Sequence, residues 1–346
     1  MTASPQSITL AEKLAFLCEG DVFPDGEALL ETIETHLSWV FLTVSHAYKL
    51  KKPLRTRVVD LSTLAARACN AERELHLNRR LAGSLYEGVH PLLYEASRGL
   101  QFGPFMEGVA EWKADPVQVV DWLVRMRRLP ADLMLDALIR QRRIKIEEID
   151  RLGRHLGNFY RIQPPLNSNP MRYVSSLRTT ILADAAALQA VPERVPGEWV
   201  EAILRRQLEF LDRQAPLLAE RAASGRVIEG HGDLRPEHVC LLEPPVIFDC
   251  LEFNRQLRIL DAVDELAFLG LECRRLGAPE CAEAILEGYA AVCEDRPPSV
   301  LMNFYRRYRA MVRAKLALWH SIDLPLDRPA HWQALLLDYL REAIRD

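Results

Sequence analysis

Apolar residues follow a strand-like pattern in the first third of the chain. Residues 38–52 (SWVFLTVSHAYKLKK) are rich in Val, Phe, Tyr and Trp and predict two strands with a break near Ser45. Residues 119–129 (VVDWLVRMRRL) alternate between apolar and polar side chains, which predicts another strand that ends before Pro130. Residues 89–96 (VHPLLYEA) and the region before Val109 are further predicted strands.

A helical period of apolar positions occurs in two early segments and then dominates after residue 130. The early helix is predicted over residues 62–82, with Ser62 as its N-cap and Gly83 just past its end; a shorter one is predicted at 9–20. The later helices are predicted over 131–141, 146–161, 171–190, 198–222, 262–276, 279–293, 299–321 and 330–345. Residues 226–253 interrupt this series with two short strands on either side of a loop.

The change of pattern predicts an α+β protein with two lobes. We expect a β-rich N-terminal lobe over residues 1–128 and a mostly helical C-terminal lobe over 129–346. A cleft between the lobes is the expected ligand site, with the connection near residues 126–130.

Composition narrows the class of protein. The 346 residues are 49% hydrophobic and 27% charged, which is enough for a large core. A net charge of -4 gives no reason to expect nucleic acid or an anionic membrane as a partner. No apolar run has the length of a spanning helix, the N-terminus lacks a basic region, and the seven cysteines form no CxxC motif. We therefore expect a reduced, cytoplasmic protein.

The octapeptide HGDLRPEH, His231 to His238, is the segment richest in candidate chemistry. Protein kinases carry an Asp as catalytic base and a metal ligand five residues later. Here Asp233 and His238 have that spacing. A second acidic metal ligand should follow the next strand, and Asp249 stands there, after Val-Ile-Phe. A turn at Pro244-Pro245 would bring these three side chains together.

A kinase also requires a lysine on an N-terminal strand and a glutamate on the following helix. Ala47 and Lys49 in HAYK lie two residues apart, on one face of a strand. Lys51 lies on that same face and is the alternative lysine. The helix that follows offers Glu72 and Glu74.

These motifs resemble the aminoglycoside phosphotransferase/choline kinase-like superfamily of small-molecule kinases. The resemblance rests on HGDL with its spacing, on VIFD, and on DAVDELA at residues 261–267. The stretches ETHLSWVFL, AYKLKKP, ERELHLNRRL, FDCLEFN, LRILD and YRAMVRAK resemble an uncharacterised bacterial branch, which is sometimes fused to a gluconokinase-like P-loop domain. The resemblance covers residues 30–320 and specifies no acceptor.

The resemblance implies a protein-kinase-like fold, binding of ATP with Mg²⁺, and transfer of the γ-phosphoryl group to a hydroxyl of a small molecule. By the family pattern, Asp233 is the base, Asp249 a metal ligand and Lys49 the phosphate contact. Glu74 is its partner, because Leu81 follows it by seven residues as in the family helix. The adenine would lie against the linker that includes Met126.

Four departures from the family pattern keep other functions open. Glu265 stands for the second Asp of the family's D-x-x-x-D element, and no Gly-rich loop is present to cover the phosphates. His238 replaces an Asn, and imidazole suits Mn²⁺ or Zn²⁺ better than Mg²⁺; Arg235 replaces a common His. One alternative is a pseudokinase that binds nucleotide without turnover. The other is a metal-dependent hydrolase in which His231, Asp233, His238 and Asp249 are ligands.

Overall fold

Contacts within the chain define two units in the computed structural model, which describes residues 8–19, 21–112, 119–164, 166, 169–323 and 329–345. The first unit is Met1–Leu133 together with Val246–Arg255, and the second is Met134–Pro245 together with Gln256–Asp346. These units differ from the predicted lobes 1–128 and 129–346 chiefly in residues 246–255. That short segment is far from the rest of the first unit in sequence but belongs to it in space.

An antiparallel sheet of six strands forms the frame of the first unit. Its strands are β1 (Glu31–Glu34), β2 (Ser38–Leu42), β3 (His46–Lys51), β4 (Tyr86–Glu95), β5 (Gly99–Phe102) and β6 (Val119–Arg127). Their spatial order is β1-β2-β3-β6-β4-β5. The predicted break near Ser45 separates β2 from β3, as expected. β1 was not predicted, because the sequence ETIE carries little apolar pattern.

Two helices accompany this sheet, α1 (Leu10–Leu17) and α2 (Leu64–Ala82). α2 begins one residue later than predicted, because Thr63 rather than Ser62 is its N-cap. The Thr63 hydroxyl accepts a hydrogen bond from the Ala66 N–H at 3.1 Å. The helix ends at Ala82 with Gly83 just past its end, as predicted, and the positive φ of 53° at Gly83 favours glycine.

β3 lies inside the sheet and is buried on both faces. Ala47 packs with Leu75 of α2 in one apolar cluster, whereas Tyr48 and Leu50 belong to a second cluster on the other face. Lys49 and Lys51 point to the same side as Ala47. Both lysines are therefore buried, and a buried ammonium group requires anionic partners.

Helices form most of the second unit, as their apolar period predicted. They are α3 (Leu135–Arg140), α4 (Ile146–Arg161), α5 (Pro170–Gln189), α6 (Gly197–Ala223), α7 (Ala262–Arg275), α8 (Glu280–Cys293), α9 (Ser299–Asp323) and α10 (Pro329–Ile344). α4 and α8 pack closely, since a Cβ at Gly153 would meet the Ile285 carbonyl oxygen at 2.2 Å. In the described ranges, no helix combines the length and the apolar character that crossing a membrane requires.

Short strands position the octapeptide loop in the second unit. β7 (Val227–Glu229) precedes the loop and β8 (Val239–Cys240) follows it, as predicted, while β9 (Val246–Ile247) belongs to the first unit. β7 pairs antiparallel with β10 (Ile259–Asp261). Asp261 then caps α7 by accepting a hydrogen bond from the Val263 N–H. The loop is thereby fixed next to the start of α7.

Candidate active site

Lys49 of β3 and Glu74 of α2 form a buried ion pair in the first unit. Lys49 Nζ donates to Glu74 Oε1 at 2.8 Å, and the Glu74 side chain is fully buried. Burial by itself raises the pKa of Glu74. The positive charges of Lys49 and Lys51 lower it by a larger amount, so the pKa lies below its ordinary value. The two residues proposed from the sequence are thus in contact, and Glu74 is ionised at neutral pH.

Lys51 is a second cation on the same carboxylate. Its Nζ lies 2.7 Å from Glu74 Oε2 and donates to Glu252 Oε1 at 2.7 Å. The sequence offered Lys51 only as an alternative to Lys49, and it gave no indication of Glu252. A signal was present, since two lysines on one face of a doubly buried strand need more than one carboxylate.

Asp249 also contacts Lys49, with 2.5 Å between its Oδ1 and Nζ. Its side chain remains 38% exposed, so the carboxylate is accessible. Burial lowers the pKa of Lys49, whereas Asp249 and Glu74 raise it well above its ordinary value. Lys49 is therefore a fixed positive charge with one carboxylate on each side.

The backbone of Asp249 has an unusual conformation that its neighbours hold in place. Its φ is +59°, in the left-handed region that residues other than Gly rarely adopt. Its N–H donates to the Tyr86 hydroxyl at 3.3 Å, and the next N–H, of Cys250, donates to Asn78 Oδ1 at 2.8 Å. Asn78 Nδ2 in turn donates to the Glu74 carbonyl oxygen. The turn that presents Asp249 is thus bound to the helix that carries Glu74.

Met126 lies within β6 rather than in a linker. Its main chain is paired with Ala47 of β3 on one side and with Tyr86 of β4 on the other. Its buried side chain belongs to the apolar cluster that includes Ala47 and Tyr86. The strand continues to Arg127, so the connection predicted from Met126 onward starts later.

In the second unit, Glu265 of α7 holds the start of the octapeptide. Its Oε1 accepts the N–H groups of His231 at 2.9 Å and Gly232 at 2.6 Å, while Oε2 accepts the Tyr160 hydroxyl at 2.9 Å. A Cβ at Gly230 would lie 2.8 Å from Glu265 Oε2. Glu265, the last acid of DAVDELA, is therefore a support for the loop, a role that spacing alone did not show.

Asp233, the candidate base, is paired with a cation from its own loop. Arg235 Nε donates to Asp233 Oδ2 at 3.1 Å, and the Asp233 side chain is 28% exposed. Its main-chain N–H donates to His231 Nδ1 at 3.3 Å, so His231 braces the loop. Burial raises the pKa of Asp233, but Arg235 and His238 lower it more, to about 2. The carboxylate is therefore ionised at neutral pH.

Both ring nitrogens of His238 are used within the loop. Nδ1 lies 2.8 Å from the Asp233 carbonyl oxygen, which only accepts, so Nδ1 carries the proton. Nε2 lies 3.1 Å from the Arg235 guanidinium, which only donates, so Nε2 supplies its lone pair there. A metal ion at His238 would have to displace Arg235.

The Asp249 carboxylate suits a hard divalent cation better than His238 does. Asp249 has an accessible carboxylate, which Mg²⁺ and Mn²⁺ accept as a ligand. Within the described ranges, no three His, Cys, Asp or Glu side chains are grouped as a metal site. Asp249 therefore fits the proposed metal and His238, as placed, does not. The expected meeting of Asp233, His238 and Asp249 at one metal stays a prediction.

The fold places the chain in a known structural class. It is an α+β protein-kinase-like fold, as the sequence predicted. Over 96% of its length the chain is similar to the GDP and kanamycin complex of APH(2")-IIia, covering 97% of that chain with a TM-score of 0.53 and 13% identity. A choline kinase from Cryptosporidium parvum Iowa II has a TM-score of 0.50 and 10% identity, over 96% of this chain and 95% of that one. At such identities the likeness shows the fold alone.

Similar sequences occur in mycobacteria. The chain is 30% identical over 293 residues to Uncharacterized protein Rv2004c from Mycobacterium tuberculosis and, equally, to Uncharacterized protein Mb2027c from Mycobacterium bovis. The match includes 84% of this chain and 55% of each relative. The chain thus spans about half the length of the curated relatives it matches. No model of a protein family matches it.

Proposed function

We propose that the protein is an ATP-dependent phosphotransferase that moves the γ-phosphoryl group to a hydroxyl of a small molecule. The observation that carries this proposal is Lys49, a buried lysine held between Glu74 and Asp249. A kinase needs this set of one cation and two carboxylates. Further support comes from similar folds: APH(2")-IIia in complex with GDP and kanamycin, aminoglycoside 2'-phosphotransferase-IIIa in complex with GDP, and a choline kinase.

The four candidate site residues of the first unit have separate roles in this proposal. Lys49 neutralises charge on the phosphates, and Glu74 keeps its ammonium group in place. Met126 borders the adenine through the apolar surface that it shares with Ala47. Asp249 is the residue that holds the divalent cation. When bound, that cation supplies positive charge to the phosphate oxygens.

Asp233 acts on the acceptor. The acceptor hydroxyl oxygen forms a bond to the γ-phosphorus while the bond from phosphorus to the β,γ-bridging oxygen breaks, and ADP leaves with that electron pair. The hydroxyl proton passes to the Asp233 carboxylate and then to solvent. A carboxylate with a pKa of about 2 is a weak base, so its main contribution is to orient the hydroxyl.

The two alternative functions make different demands on the octapeptide. A metal-dependent hydrolase would need free nitrogens, but His238 uses both of its nitrogens and His231 Nδ1 accepts the Asp233 N–H. The geometry therefore does not favour it. A pseudokinase is favoured by one observation: Arg235 is bound to the Asp233 carboxylate that an acceptor hydroxyl would need. Turnover separates this function from the proposed one.

Nucleotide binding is the first test. Calorimetric titration with ATP and Mg²⁺ or Mn²⁺ should show binding, and Lys49→Met should weaken it about tenfold or more, as expected for loss of a charged contact. Lys52→Met is the matched control. Lys52 follows the same strand, and its partner Glu34 is 54% exposed.

The result also distinguishes the functions. Absence of ATP binding with either metal, or equal effects of the two lysine substitutions, would contradict the proposal. ADP formation with a panel of neutral, anionic and cationic polyols then tests turnover. ATP binding without turnover on any acceptor would support the pseudokinase instead.

A further inference from the structure

Two arginines of the second unit act on the charge of Asp233, one from the octapeptide and one from α9. Arg235 bonds the Asp233 carboxylate directly, at 3.1 Å. Arg313 comes from the middle of α9, and its charge also contributes to the low pKa of Asp233. The turn at 236–238 packs on α7, the same helix against which Arg313 lies. Asp233 therefore has Arg235 in direct contact, and Arg313 belongs to α9, which packs against α7 as the turn at 236–238 does.

Arg313 has incomplete protein contacts for a buried cation. Its side chain is 18% exposed, and its Nε donates to the Tyr339 hydroxyl at 3.2 Å. The nearest carboxylate, Glu272, is 3.7 Å away and already accepts the Tyr339 hydroxyl at 2.6 Å and Arg275 at 2.9 Å. Among the described residues, neither terminal amino group of Arg313 has a hydrogen-bond acceptor.

Arg235 is also placed to change partners. It is 23% exposed and holds Asp233 through Nε and His238 through one amino group. The other amino group has no acceptor among the residues that the structure describes. The hydrogen bond from Arg235 occupies Asp233 Oδ2, one of the two carboxylate oxygens that an acceptor hydroxyl could use. An anionic group on the acceptor would give the guanidinium a new partner and free Asp233 in one step.

We propose that the acceptor carries an anionic group, a carboxylate or a phosphate ester, which Arg235 and Arg313 bind beside Asp233. This inference rests on the proposed function and names the substrate class of the same site. A planar guanidinium bonds either anion through two N–H groups, which a lysine does not. A neutral polyol would leave Arg235 on Asp233, and an acceptor ammonium group would be repelled by both arginines. Glu237 and Glu272 offset part of this positive field, so the directed hydrogen bonds matter more than net charge.

Inorganic phosphate is the probe for the first measurement, at constant ionic strength and without nucleotide. Thermal unfolding should show that phosphate stabilises the parent protein. Arg313→Gln and Arg235→Gln should each raise the apparent dissociation constant of phosphate about tenfold. Arg274→Gln is the matched control, since Arg274 is an exposed arginine of α7 and should leave the constant unchanged. Unfolding curves without phosphate show whether each variant is folded, and Arg313→Lys, which keeps the charge, is the second variant at that position.

A second measurement identifies the source of the anion. The phosphate titration is repeated with a saturating non-hydrolysable ATP analogue and Mg²⁺. Arginine-dependent phosphate binding that persists supports an anionic acceptor. Its loss would overturn the proposal, because the arginines would then bind the phosphates of the nucleotide. Equal phosphate binding by the Arg274 and Arg313 variants would also overturn it. Failure of the analogue to bind would contradict the proposed kinase function alone, since the first measurement uses no nucleotide.

Discussion

Lys51 Nζ donates to Glu252 Oε1 at 2.7 Å, although 201 residues separate the two along the chain. Lys51 lies on the strand that carries Lys49, and Glu252 lies three residues after Asp249. The contact therefore fixes the distance between a candidate phosphate-binding lysine and a candidate metal ligand. Neither residue needs to touch a substrate to have this effect.

Glu252→Gln should lower the free energy of unfolding by about 2 kcal/mol. The substitution removes a buried charge of 6% exposure but leaves Lys51 its second partner, Glu74, so the cost is less than that of an isolated buried cation. Chemical denaturation measures it. Glu34→Gln, which breaks an exposed pair with Lys52, is the control and should cost less than about 1 kcal/mol. Equal losses of unfolding free energy in the two variants would show that the buried pair stabilises the protein no more than the exposed one.

Asp233→Asn should lower kcat by about 10²- to 10⁴-fold and leave ATP affinity nearly unchanged, because Asp233 acts on the acceptor. Asp249→Asn should instead weaken binding of the metal–nucleotide complex. Steady-state rates and nucleotide titrations separate the two effects. If both variants lost nucleotide affinity equally, the assigned roles would be wrong.

The low pKa of Asp233 also predicts how stability and kcat depend on pH. A folded pKa of about 2, below the ordinary value of 3.8, means that its stabilising contribution is complete above about pH 4 and is lost as pH falls toward 2. Its titration should therefore leave no inflection in the kcat profile between about pH 5 and pH 9. An inflection that vanished in Asp233→Asn would show that the pKa is higher.

His238→Asn should leave the preference between Mg²⁺ and Mn²⁺ unchanged and destabilise the protein by about 1 kcal/mol. The reason is that both ring nitrogens are engaged, one by the Asp233 carbonyl and one by Arg235. Nucleotide affinity or turnover with each metal, measured for both proteins, gives the ratio. A shift of that ratio toward Mg²⁺ in the variant would make His238 a metal ligand after all.

Helices and site residues close in sequence were predictable, for physical reasons. α4 and α9 have apolar residues at a period near 3.6 over four or more turns, so packing on one face fixes both their type and their length. Strand geometry limited the lysine to Lys49 or Lys51 and the helix offered Glu72 or Glu74, while the choice of Glu74 came from the family resemblance. Thr63 and Ser62 are adjacent hydroxyl residues with similar capping chemistry, and only the backbone decides between them.

Contacts between distant segments could not be predicted from one sequence. The pairing of β7 with β10 involves three residues a side, too few for any periodic signal. Glu252 and Arg313 were missed for a related reason. Nothing near Glu252 indicates Lys51 as its partner. Helical spacing in α9 accounts for Arg313 as one residue of a packed helix, without showing what its guanidinium faces.

The assignment of residues 246–255 to the first unit has a consequence for synthesis of the chain. Phe248 packs on the apolar cluster of Ala47 and Leu75, and Glu252 completes the charge balance of Lys51. A ribosome translates β6 long before it reaches these residues. Until then, Glu74 has to balance two lysines alone, and the surface meant for Phe248 is open to water. Emergence of residue 255 from the exit tunnel, rather than completion of the sheet, is therefore the point at which this unit gains its full set of contacts.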